Sequence, residues 1–375
     1  MKNSSENDDS VKENLGPVGR NETRVDAQDK VTGKAVYADD FKPQGLLYAA
    51  VVRSPISSGK IKNIDASKAR ELEGVRAVLT AEDVPGSNVV PVIDEDQPAL
   101  ASNEVRYAGE PVVLVAADER KTAEKGAEAV VVDYEETEAV FDPLEALEED
   151  SPRVAQEEVS EEGNLFDKMV LEKGDVEGAL EEAPVVVSKE YRTGHQEHGY
   201  IEPQGITAVP VARGKMEIHG TMQCPFYVQN AVSAALGYQI NKVRVVQLET
   251  GGAFGGKEDV PSQVAVLAAL LAHKAKKPVK LTYDRREDIE STSKRHPSVV
   301  HYKTAADENG NLLGVEAEVF LDSGAYQTLS EAVLFRSLVH TPGPYSIPNV
   351  KVVAKSVATN KVPNGAFRGF GSPQV

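Results

Sequence analysis

Hydrophobic and polar positions alternate along this chain in a way that predicts strands and helices in turn. Residues 46–53 read as a strand stopped by Pro55, and 61–64 as a second short one. Asp65 is placed to cap a helix that runs to Leu72 and is closed by Gly74, after which 75–80 returns as a strand. The cycle repeats with an apolar strand at 111–116, an amphipathic helix at 118–129 and a strand at 130–134. After an acidic, proline-interrupted stretch, strands are predicted at 184–191, 206–211, 215–220, 242–249, 279–283, 299–305, 315–322 and 350–357. Helices are expected at 227–236, ended by Gly237, and from Pro261, a favoured first helical residue.

The fold class implied is α+β. The expected organisation is a disordered acidic tail (1–18), an α/β unit (19–141), a linker (142–163) and a second, larger region (164–375). Charge narrows the partners. With 41 Lys and Arg against 59 Asp and Glu, the net charge is −18, and the basic patches, such as 274–280, are too short to make a nucleic-acid surface. The first residues are polar and acidic rather than signal-like, and the most apolar run, 264–272, falls short of the ~20 residues that span a bilayer. A cytoplasmic protein without a membrane segment is expected. Cys224 is the single cysteine, so the chain can form no internal disulfide and hold neither a four-ligand zinc nor an iron–sulfur cluster.

Gly251-Gly252-Ala253-Phe254-Gly255-Gly256-Lys257-Glu258 is the most informative stretch. Its glycines allow a sharp turn and close approach of the backbone to a ligand, and N–H groups before a helix favour an anion or a set of oxo ligands. The letters also fit G-x-x-x-x-G-K, but a P-loop needs Ser or Thr next for magnesium, and Glu258 stands there instead.

Taken with its neighbours, this loop resembles the molybdenum-site loop of the xanthine dehydrogenase and aldehyde oxidase family. Gly194-His195-Gln196-Glu197-His198, continuing to Glu202-Pro203-Gln204, is similar to the segment that opens the family's molybdenum domain. Thr221-Met222-Gln223 lies where the family carries an active-site glutamine, and residues 363–374 are close to its Phe-Arg-Gly-Phe-Gly segment. Arg53-Ser54-Pro55 and Gly109-Glu110-Pro111 make 19–141 look like the family's α/β hammerhead domain, and 164–375 then resembles the first, incomplete molybdopterin-binding domain.

The resemblance implies a molybdenum–molybdopterin cofactor with no metal ligand from side chains. Gln223 would hydrogen-bond an oxo ligand, Gly252, Phe254 and Gly255 would approach the cofactor, and Arg368 would line it. Phe370 would stack on a planar substrate. Glu258 matches a glutamate that binds the purine in xanthine dehydrogenases, and Arg336, 34 positions before Phe370 and 13 before Asn349, has the spacing of their substrate arginine. Gln223, Glu258 and Arg336 are thus the implied catalytic set, with a purine such as hypoxanthine or xanthine as substrate. Gly369 stands where the family's carbon monoxide dehydrogenases carry a copper-bridging cysteine, and Cys224 reads as a packed thiol.

The family's molybdenum subunit is about twice as long, so a polypeptide supplying the C-terminal half is expected, together with an FAD subunit and a [2Fe-2S] subunit. Alone the chain should be inactive. Hydroxylation of aldehydes or other N-heterocycles, or a non-catalytic remnant, are the alternatives.

Overall fold

The computed structural model describes residues 18–93 and 95–375. The acidic tail expected at 1–18 therefore lies almost wholly outside the described residues. Two compact units divide at Val36/Tyr37. In the first, the short helix α1 (Ala27–Val31) is steadied by Asp26, whose carboxylate accepts from Arg24 and Lys30.

The second unit opens with strands β1 (Leu47–Arg53) and β2 (Gly59–Asp65), helix α2 (Ser67–Glu71) and strand β3 (Val75–Leu79). Ala66, not Asp65, is the residue at the N-cap of α2; Asp65 instead accepts from the Ser67 N–H at 2.9 Å. Strands β4 (Glu104–Val105) and β5 (Pro111–Ala117), helix α3 (Arg120–Glu128) and strand β6 (Val131–Glu136) complete this region. The stretch expected as a linker forms little regular structure, yet it packs. Ala146, Val154 and Ala155 are buried with Tyr107, Tyr326 and Val357, and Asn164 holds the Val154 and Ala155 N–H groups through its side-chain oxygen.

Strand β7 (Leu165–Lys173), helix α4 (Val176–Glu182) and strands β8 (Val185–Thr193), β9 (Gly205–Val211) and β10 (Lys215–Gly220) follow. Helix α5 (Pro225–Leu236) ends on Gly237 in the left-handed conformation, as its position predicts, and leads to β11 (Val243–Gln247). Helix α6 (Val260–Ala275) is buried on all sides from Val260 to Ala272, which explains its unbroken apolar sequence. The remaining elements are β12 (Val279–Thr282), α7 (Arg285–Ser291), β13 (Ser298–Ala306), β14 (Leu312–Gly324), α8 (Ser330–His340) and β15 (Asn349–Ala358).

Three sheets result. Their orders are β11-β10-β9-β12-β1-β5-β3, β7-β15-β14-β13-β8 and β4-β2-β6. The largest joins early and late sequence: β1 runs parallel to β12, with Leu47 opposite Val279 and Tyr48 opposite Lys280. One apolar core accordingly collects Leu47, Leu79 and Leu114 with Ile206, Ile218 and the buried face of α6.

Polar ties cross the same junction. Arg53 donates to Glu287 on α7 and to the Gly109 carbonyl. Glu110 is fully buried and accepts from the Tyr326 hydroxyl at 2.6 Å and the Arg106 N–H at 2.7 Å. The two tripeptides that resembled hammerhead motifs thus fasten that region to the elements bearing the candidate site.

Candidate active site

The glycine loop leaves β11 and turns over a buried lysine before entering α6. Lys257 has no exposed surface; its Nζ donates to the Glu202 carbonyl at 2.8 Å, the Glu202 carboxylate at 3.1 Å and the Thr221 hydroxyl at 3.0 Å. It also sits 4.7 Å from the Tyr200 ring centroid. Burial pulls the Lys257 ammonium below its usual pKa, and the Glu202 charge opposes that pull. Glu202 accepts in turn from the Gly251 N–H at 2.7 Å. The loop is therefore clamped from beneath.

Steric fit explains the glycines. A Cβ on Gly255 (φ +113°) would lie 2.3 Å from the Ala366 carbonyl oxygen, and one on Gly256 would meet Tyr200 and His198 at 2.7–2.8 Å. Gly252 (φ +97°) and Phe254 (φ +58°) are both left-handed.

Gln223 stands at the exposed rim of this loop. Its side-chain oxygen accepts from the Gly255 and Lys257 N–H groups at 3.0 and 3.3 Å, which fixes the amide and turns its NH2 group outward to Glu258 at 3.4 Å. Burial first, and the neighbouring Asp259 charge second, raise the pKa of the Glu258 carboxyl. Cys224, beside Gln223, is a half-buried thiol at the start of α5 whose pKa is raised by burial and then by Glu258.

Residues 366–371 close the other side. The Arg368 N–H donates to the Phe254 carbonyl at 2.8 Å, and its guanidinium lies 5.0 Å from the Phe254 ring centroid. Two residues on, Phe370 packs its half-buried ring on the core beneath α8, and the Arg336 guanidinium stands 5.9 Å from that ring. The candidate residues thus form two groups. Gln223, Gly252, Phe254, Gly255, Glu258 and Arg368 gather on the glycine loop, Arg336 and Phe370 gather on α8, and the tripeptide from Arg368 to Phe370 joins them.

Sequence reasoning missed the hub that holds this tripeptide. Arg295 is buried; it donates to the Gln196 side chain at 2.7 Å and to the Phe367 and Arg368 carbonyls at 3.4 and 3.1 Å, and it stacks 4.2 Å from the Phe367 ring. Its neighbours extend the hub. Lys294 pairs with Glu197 at 2.8 Å, and His296 meets the Ser330 hydroxyl, first residue of α8, at 2.8 Å. The basic run Lys294-Arg295-His296 was the available signal, because three basic residues in a row before a strand are seldom all buried.

Residues 158–375 match the molybdopterin cofactor-binding domain family, and residues 32–138 match the aldehyde oxidase and xanthine dehydrogenase a/b hammerhead domain. The chain belongs to this family. It is 40% identical to the nicotinate dehydrogenase large molybdopterin subunit of Eubacterium barkeri over 96% of its own length and 83% of that subunit. Against a probable xanthine dehydrogenase subunit of Bacillus subtilis it is 37% identical over 94% of the chain and 46% of the relative. Among solved structures, aldehyde oxidoreductase from Desulfovibrio gigas superimposes with a TM-score of 0.87 at 31% identity, covering 94% of this chain and 40% of that one. The chain therefore spans less than half of these last two relatives.

For a molybdopterin-binding chain the loop chemistry fits. The Gly252, Ala253 and Phe254 N–H groups make no hydrogen bond among the described residues, and the exposed Arg368 guanidinium lies over the same turn. Free backbone donors and a cation suit an anionic, oxygen-rich group. No His, Cys, Asp and Glu cluster among the described residues could ligate a metal directly, and no described helix is long and apolar enough to cross a membrane.

Proposed function

We propose that the chain supplies one half of the active site of a molybdenum hydroxylase acting on a purine such as hypoxanthine or xanthine, with water as the oxygen source. The observation that carries this reading is the Arg336 guanidinium beside the Phe370 ring, tied through Arg368 to the loop that bears Gln223 and Glu258. Gln223, Gly252, Phe254, Gly255 and Arg368 would hold the molybdenum–molybdopterin group. When bound, that group supplies the two-electron oxidation of a substrate C–H bond.

The protein residues do the rest. Phe370 offers a flat apolar face to a heterocycle. Attack at a ring carbon pushes negative charge onto the ring, and the Arg336 cation offsets it more strongly once water is excluded. Glu258, whose carboxyl pKa is raised by burial, can hydrogen-bond a ring nitrogen or carbonyl and relay a proton. A complementing polypeptide, an FAD subunit and a [2Fe-2S] subunit, all cytoplasmic, would finish the site and carry electrons away.

The test is to purify the chain with the product of a neighbouring reading frame, then measure molybdenum and xanthine-dependent dye reduction. Glu258→Ala should lower purine turnover ~100-fold while an aldehyde loses far less. Equal losses would overturn the purine assignment, and a complex with neither metal nor dye reduction would leave the non-catalytic reading.

A second substrate reading rests on the 40% identity to the Eubacterium barkeri subunit, whose name specifies nicotinate. In it the Arg336 guanidinium pairs with the carboxylate of a pyridine ring. Turnover of nicotinate but not xanthine would select it.

A further inference from the structure

Strand β8 ends one side of the five-stranded sheet, and each of its residues from Val185 to Arg192 is exposed. Its inner edge pairs along its whole length with β13, whereas its outer edge meets no strand among the described residues. Natural edges are commonly blunted by charge, yet this one begins Val185-Val186-Val187. Register assigns the faces. Val185, Val187, Lys189 and Tyr191 stand opposite Ala306, Thr304, Tyr302 and Val300, and Val300 belongs to the core beneath α8. That helix packs on β15, β7 and β14. The α8 side of β8 is left bare, with Val185 44% exposed, Val187 49% and Tyr191 54%.

This bare face is continuous with the Arg336 group. On α8 the exposed Phe335 and Val339, four residues apart, form a stripe beside Arg336, whose guanidinium lies 6.0 Å from the Phe335 ring. At the end of that helix the Thr341 carbonyl accepts from the Tyr302 hydroxyl at 3.1 Å. Burial first, then the neighbouring Tyr345 and Tyr191, raise the pKa of that hydroxyl, and Tyr345 is 68% exposed. An apolar path therefore runs from Arg336 across Phe335, Val339, Tyr345 and Tyr191 to the free edge of β8. Contiguous apolar surface of this kind marks an interaction site.

We propose that the polypeptide completing the active site docks here by adding a strand to the outer edge of β8. The identity of this occupant rests on the half-site function proposed above. The path starts at Arg336, where a complementing chain must close over the substrate. More than half of the Bacillus subtilis subunit and of the Desulfovibrio gigas chain lies outside the match, so relatives carry ample further chain to cover it. A second copy of this chain fits poorly. Full-length antiparallel pairing of two β8 strands about a two-fold axis sets Lys189 opposite itself, where like charges repel. The strand that fits places apolar residues opposite Val187 and Tyr191 and a carboxylate opposite Lys189, all on one face.

The test is to co-express the full chain with the product of the neighbouring reading frame and measure their dissociation constant. Val187→Asp combined with Tyr191→Asp should weaken association about 100-fold, since a tyrosine anchor and its neighbour are both lost. The chain's own urea midpoint should hold, because both side chains are exposed. Ser188→Asp, on the other face of the strand, should change association by less than about threefold. Unaltered binding by the double variant, or no association of the wild-type pair, would overturn the proposal. So would a wild-type chain that dimerises alone and loses its dimer in the double variant.

Amide hydrogen exchange on the wild-type complex gives a reading that needs no variant. Alternate amides within 185–193 should exchange at least ~10-fold more slowly than in the free chain, because only every second N–H points to the outer edge. Equal rates would refute strand addition. A complex that shows this protection yet holds no molybdenum and turns over no heterocycle fails the proposed function instead, and leaves the docking edge of β8 established.

Discussion

A methyl group on the α-carbon of Gly371 would stand 2.4 Å from the β-carbon of Arg336 and 2.6 Å from the Ser337 nitrogen. Gly371 also has φ +87°, a conformation in which side chains are strained. The place of Arg336 is thus set by a glycine on another segment. Gly371→Ala should cost about 2–3 kcal/mol of stability, since strain adds to overlap. It should also depress purine turnover in the complemented enzyme nearly as far as Arg336→Met does, while molybdenum content holds. Urea unfolding, metal analysis and kcat/KM together check this; full activity would show that α8 adjusts freely.

Arg295 carries the Arg368 segment through hydrogen bonds to two carbonyls and one amide. Arg295→Met keeps most of the volume and removes every donor. A loss of about 2–4 kcal/mol is expected, because charged donors in buried sites contribute ~1.5–3 kcal/mol and the carbonyls would be left bare. Molybdenum bound per complex should fall with it, whereas Arg368→Met should reduce the metal with little change in stability.

Lys257→Met should destabilise the chain by about 3–5 kcal/mol, because it strands the largely buried Glu202 carboxylate beneath the loop. Pairing it with Glu202→Gln should recover part of the loss. Chemical unfolding of the two singles and the double measures the coupling; simple additivity would show that the ion pair is not the clamp.

Acid should loosen the hub. Burial pulls His296 down to about 3 and also lowers His198. A histidine whose folded pKa lies below its unfolded value adds stability that is complete above about pH 6.5 and is withdrawn as pH falls towards 3. For His296 the span corresponds to at most about 5 kcal/mol. Glu110, pushed up to about 7, has the opposite sign: its contribution is complete below about pH 4.5 and is lost as pH rises through 7. Urea midpoints from pH 8 to 4 should therefore decline less in His296→Gln than in the wild type, and decline more in Glu110→Gln. Parallel curves for wild type and His296→Gln would show that His296 is not held neutral.

Much of the fold was legible because its boundaries carry local signals. Gly237 closes α5, and the period-two runs of β9, β10 and β15 fall within two residues of their predicted limits. Elements without such signals were missed. No side chain caps α8, and β7 mixes partly buried with exposed residues and buries none fully, so neither displays a clean signal. Site residues follow the same division. The glycine loop is contiguous in sequence and could be read as a unit. The Arg295 partners lie 99, 72 and 73 positions away, and the partners that place Lys257 under the loop, Glu202 and Thr221, lie 55 and 36 positions away.

The pairing of Leu47 with Val279 has a meaning for how the protein is made. Strand β1 can meet β5 early, but its other edge stays open until β12 has left the ribosome. At synthesis rates of roughly 5–20 residues per second, that delay lasts on the order of ten to thirty seconds. During this interval an apolar strand edge is on offer to any neighbour. Nascent chains of this protein should therefore depend on chaperones until the glycine loop and helix α6 have emerged, and slower translation past β5 should lower the soluble yield.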